Sequence, residues 1–153
     1  MKRELRFKTL EDARTELNQL GQGPVETIGL WSYFQILTHC AASLENTIKG
    51  IQRDMSWWKR HLMGPLAYKK IASDGVFPNG IKGNPMTSPA VREGGDEKAA
   101  LGRLRQALGE FEKFEGKFSD HPILGNLNKK QWTHFHAMHL AHHLGHARLK
   151  SKS

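Results

Sequence analysis

Residues 131–150 read QWTHFHAMHLAHHLGHARLK, and six of the chain's nine histidines fall between His134 and His146. No proline interrupts the stretch, and its residues recur at helical rather than strand spacing, which predicts a last helix over 131–150. On a wheel of about 100° per residue, with Trp132 at zero, His136 falls near +40°, His139 near −20°, His143 near +20° and His146 near −40°. Trp132 and these four imidazoles form one stripe. Phe135, Met138 and Leu149 flank it on one shoulder, and Leu140, Leu144 and Ala147 on the other. Flanks of this kind must be buried, so the stripe is carried into the core, where an unpaired polar group costs a few kcal/mol.

Working outward, Asn128 is the expected cap of this helix. Glu97 to Phe118 predicts the preceding one, with Leu101, Leu104, Leu108, Phe111, Phe114 and Phe118 as its apolar stripe. Thr9 followed by Glu11 and Asp12 marks a helix start, and Gly21 and Gly23 its end. From about Gly29 to Gly50 lies a segment with no charged residue between Leu30 and Leu44. A surface helix shows charge on one face, so this one reads as central. Residues 55–72 predict one or two short helices broken at Gly64-Pro65. Residues 73–95, dense in glycine and proline, predict a long loop, either a lid or an ordered crossover. No strand alternation and no repeat is evident. The expected architecture is all-α, a single domain over 1–153 folded as a four-helix bundle with a long crossover between helices 2 and 3.

Composition narrows the function classes. The 153 residues carry a net charge of +8, but the basic residues are dispersed and do not alternate with aromatics, so nucleic acid is not an expected partner. The single cysteine, Cys40, excludes a disulfide framework or a multi-cysteine metal site, and it reads as core packing. No apolar run is long enough for a membrane span, and no secretory signal is legible, so a cytoplasmic location is expected.

Two imidazoles at i and i+4 on a helix stand one turn apart on one side and can share an ion. His139 and His143 satisfy this, as do His142 and His146, which sit further off the stripe. A third ligand must come from elsewhere, and His39 in the charge-free helix is the candidate, opposite the stripe Leu30, Leu37, Ala41, Leu44 and Ile48. Its neighbours Gln35, Ser43 and Asn46 are types that could accept the outer N–H of a ligating ring. Three neutral imidazoles suit Zn²⁺, Ni²⁺ or Fe²⁺ with a position left open. The competing readings are core histidines without a metal and a histidine-tuned interface. His61 and His134 read as surface residues.

Leu30-Trp31-Ser32 leading into His39, with His139-x-x-His142-His143, resembles the DinB/YfiT-like metalloenzyme superfamily. His121-Pro122-Ile123-Leu124-Gly125, Trp132 and the histidine cluster together resemble one branch of it, known only as a domain of unknown function. The resemblance covers about residues 7 to 149. It implies an up-down-down-up bundle and metal ligands at His39, His139 and His143. It also implies, for some members, transferase chemistry with a low-molecular-weight thiol and a divalent metal. Many relatives continue with Arg and Gln after the paired histidines, where this chain has Leu144-Gly145-His146-Ala147-Arg148. His136, His142 and His146 are accordingly expected as pocket or supporting groups. Catalytic residues stay unassigned, the partner is a small molecule, and a homodimer stays open.

Overall fold

In the computed structural model, residues 1–50, 57–77 and 94–151 are described, the side chains of the second stretch from Met63 onward. Among them are five helices and two short strands: α1 Leu10–Leu20, β1 Val25–Thr27, α2 Tyr33–Lys49, α3 Trp57–Asp74, α4 Glu97–Lys113, α5 Lys129–Leu144 and β2 Ala147–Leu149. The main packing is α2 on α4, with α1 against α5 and α5 against α2. Leu17, Leu37, Leu44, Leu104, Leu108, Phe111, Leu140 and Leu144 are wholly buried where these faces meet. Each leucine of that set contributes about 1.5–3 kcal/mol by leaving water.

Local chemistry sets the helix starts. Thr9, Ser32 and Asn128 each accept the N–H three residues on, while Asp12, Gln35 and Gln131 reach back to the cap amide, giving three reciprocal capping boxes. The charge-free segment therefore becomes helical only at Tyr33, four residues after Gly29. Leu30 lies outside the helix, fully exposed, and is no part of its apolar stripe.

Three predicted boundaries are corrected. The helix expected to run to Phe118 stops at Lys113, and Phe114 turns to extended backbone. Lys129 Nζ donates to the freed carbonyls of Glu112 and Phe114 at 2.8 Å each, which favours a stop there. Phe118 is still buried, but from a loop. The expected break at Gly64-Pro65 is absent, since α3 runs through Pro65 as one helix. Gly64 instead marks a close approach: a Cβ there would lie 2.3 Å from the Leu124 carbonyl oxygen. The last helix ends at Leu144 rather than 150, because Ala147–Leu149 pairs antiparallel with Val25–Thr27. Strands of three residues are too short to show alternation, so nothing in the sequence pattern announces this ribbon.

α5 is the most enclosed helix. Every residue from Phe135 to Ala141 is buried, so it has no solvent face over that stretch. Among the described residues no helix is long and apolar enough to cross a membrane. Of the loop expected over 73–95, residues 78–93 lie outside the described residues, and so does the side chain of His61.

Candidate metal centre

His39 stands in the second turn of α2 and His139 and His143 one turn apart on α5, and packing of α2 on α5 brings the three together. One ring nitrogen from each lies within 4.8 Å of the others. The Nε2 atoms of His39 and His139 are 3.1 Å apart. Two nitrogens bound to one tetrahedral zinc at 2.0–2.1 Å stand about 3.3 Å apart, so this pair is already at ligand spacing. The rings tilt toward one another at 56°, 59° and 78° with centroids 4.5–5.1 Å apart, as convergence on a common point requires.

Burial dictates their charge state. Desolvation pushes the His39 pKa down to about 4. His139 and His143 are held well below the ordinary histidine value by burial first, and then by the neighbouring imidazoles. A cationic ring would have to shed its hydration among other rings of the same prospective charge. All three are therefore neutral with lone pairs available, which is the state a metal ligand needs.

The rings are oriented by packing. Trp31 stacks on His143 with centroids 5.5 Å and planes 8° apart, and meets His39 edge-on at 4.9 Å. Phe77, just beyond α3, packs edge-on against His139 at 5.4 Å and tilted against His142 at 5.7 Å. The expected hydrogen-bond support from Gln35, Ser43 or Asn46 is absent. The Gln35 amide oxygen is committed to the Ser32 N–H, the Ser43 carbonyl accepts from Thr47, and Nδ1 of both His39 and His139 is buried with no partner among the described residues.

The remaining histidines separate into distinct roles. His136, fully buried, lies on the expected stripe but outside the cluster. The Thr47 hydroxyl donates to the Ser43 carbonyl at 3.0 Å, so it accepts from His136 Nε2–H at 2.9 Å. The ring stacks on Trp132, and its pKa is lowered to about 3 by burial and then by His121. His142 Nδ1 accepts from Lys2 Nζ at 3.2 Å, and the pKa of the ring is lowered to about 4, by burial first and then by the Lys2 ammonium. His146 leaves the stripe altogether, since α5 has ended. Its Nδ1 donates to the Ile28 carbonyl at 2.9 Å, which also removes the helical His142/His146 pair as a ligand set. His134 is half-buried rather than on the surface. Cys40 is buried core with its thiol pKa raised by desolvation, as the sequence reading expects.

Sequence reasoning assigns no work to His121, Trp31, Phe77 or Lys2. His121 Nδ1 accepts the N–H groups of Ile123 and Leu124 at 3.1 and 3.0 Å, and its backbone exchanges two hydrogen bonds with Gly125, closing the HPILG turn. A histidine followed two residues later by free amides is a legible turn signal once the intervening proline is noted. Trp31, directly before the Ser32 cap, also carries a hint in its position, because the residue ahead of a cap packs back on its helix.

Fold and site together define a mainly helical protein carrying a buried, neutral three-histidine cluster at the junction of two helices. The chain belongs to the family described as protein of unknown function, DUF1569, whose model matches residues 1–150. No curated protein and no solved structure matches the chain.

Proposed function

We propose that the protein binds one divalent metal ion through His39, His139 and His143 and uses it in a transferase or hydrolase reaction on a small molecule. The observation that carries this is the convergence of three neutral ring nitrogens within 4.8 Å of one another from two helices. When bound, such an ion supplies Lewis-acid chemistry and acidifies a coordinated water or thiol. His39 and His139 form the buried floor, and His143, only half-buried, marks the side from which a substrate arrives. His142 is the nearest imidazole outside the cluster and, with its ring centroid 5.1 Å from that of His143, is placed to take up or deliver a proton.

In this reading α1, α2, α4 and α5 are the four helices of a DinB/YfiT-like, up-down-down-up bundle, and the segment between α2 and α4 is its crossover. The resemblance in the Leu30-Trp31-Ser32 and His139-x-x-His142-His143 motifs supports that membership, and with it a low-molecular-weight thiol as co-substrate. Zn²⁺, Ni²⁺ and Fe²⁺ all suit an imidazole-only set. The single free, buried cysteine fits a reducing, cytoplasmic compartment.

Purified protein exposed to each metal and then desalted should retain close to one equivalent per chain by elemental analysis. Retention below about 0.2 equivalents for every metal sinks the reading, because folded ligands at this spacing bind without reorganisation. A screen of the loaded protein with thiols and electrophiles then tests catalysis. Full loading with no turnover across that screen supports instead a metal-binding protein without a reaction.

A further inference from the structure

Among the described residues no carboxylate accompanies the three histidines. The cluster is imidazole-only, and the charged group set beside its neighbour His142 is the Lys2 ammonium. Glu16 is committed to Arg3 and Glu26 to Arg148, while Glu4, exposed, acts on Lys2. A divalent ion on three neutral ligands keeps its full charge, and a buried charge without a counter-charge is costly. With no carboxylate among the described residues to supply it, the counter-charge falls to the ligand that fills the open position.

Lys2 shows where that ligand enters. Its Nζ meets His142 Nδ1 at 3.2 Å, and His142 in turn packs edge-on against His143. The lysine is held in place by its neighbour. The Arg3 N–H donates to the Gly145 carbonyl at 2.9 Å, and its guanidinium donates to the Leu144 and Ala147 carbonyls and to Glu16. Gly145 permits this approach, since a Cβ there would lie 2.5 Å from the Arg3 carbonyl oxygen. The N-terminal segment is thus strapped across the end of α5 with an ammonium beside the half-buried edge of the centre.

We propose that the centre selects a small organic anion, drawn in by the Lys2 ammonium and completing the charge of the bound metal. The inference rests on the metal reading above and narrows its substrate to molecules that present a negative group. Lys2 acts as a specificity residue, setting which molecules bind rather than holding the ion.

The test uses the Co²⁺-loaded full chain and follows the visible bands of the cobalt while benzoate or its neutral isostere benzamide is added. Benzoate should perturb the bands at roughly tenfold lower concentration than benzamide in wild type. Lys2→Met should weaken benzoate about tenfold with cobalt stoichiometry unchanged, and Lys2→Arg should restore it. Benzoate binding to Lys2→Met as tightly as to wild type, or benzamide matching benzoate, overturns the proposal while leaving the metal site standing. Absence of cobalt bands in wild type overturns the metal reading itself, and the anion proposal with it.

Discussion

Trp31 lies parallel to His143, the two ring planes 8° apart and the centroids separated by 5.5 Å. His39 and His139 are deep enough to be fixed by the core around them, but His143 is half-buried and depends on that indole face for its ring plane. One residue ahead of α2 thus sets the orientation of a ligand on α5.

Replacing Trp31 with Leu should therefore lower metal affinity by about 10- to 100-fold, the range typical when a ligand's supporting partner is removed. Trp31→Phe, which keeps a flat ring, should recover most of it. Competition against a chromophoric chelator measures both. Equal affinity in wild type and Trp31→Leu would show that His143 needs no indole to hold it.

Zinc at 100 times its dissociation constant should stabilise the wild-type fold by about 2.7 kcal/mol, seen as a rise in Tm that a chelator reverses. His143→Ala should fold nearly as well as wild type without metal, since its site is only half-buried, and should lose most of that metal-dependent rise. Thermal scans with and without zinc check this.

His121 accepts two backbone amides through Nδ1, which requires that nitrogen to be unprotonated. Burial lowers its pKa from 6.5 to about 4. A folded-state pKa below the unfolded one means that the stability it contributes is complete above pH 6.5 and is lost as pH falls toward 4, up to about 3 kcal/mol in all. Asn in its place keeps an oxygen acceptor that cannot titrate. Urea unfolding of His121→Asn between pH 6.5 and 4 should accordingly show a shallower loss than wild type.

Thr47→Val removes the acceptor of the His136 Nε2–H inside a fully buried site. The orphaned donor should cost about 1–3 kcal/mol, whereas Thr47→Ser should cost much less. Chemical denaturation of the two variants separates the lost hydrogen bond from the lost methyl group.

The sequence was most informative where a short-range rule operates. Thr9, Ser32 and Asn128 cap helices through partners three residues away, and Leu104, Leu108 and Phe111 bury one side of α4 at helical spacing. The pair His139 and His143 is also local, and His39 could be matched to it because a charge-free helix has few places to go but the interior. What was not legible depends on partners distant in sequence. The end of α5 is set by β1, more than a hundred positions earlier, so helical spacing carries His146 onto a helix that stops at Leu144. Gly64 reads as punctuation because the Leu124 backbone pressing on it is invisible from residues 55–72. Gln35 is a type that could support a histidine, but its nearer obligation is the amide of Ser32.

The β1–β2 ribbon joins Thr27 to Ala147, and Trp31 and His143 each stand four positions from that pair. The ribbon is a gauge: it fixes how much chain is available to carry the indole from the strand to the imidazole it covers. Within that span Leu30 is fully exposed. Drift in the identity of Leu30 is cheap, but Gly29, at φ 109°, is held to glycine by its backbone, and adding or deleting a single residue would pull the indole out of register.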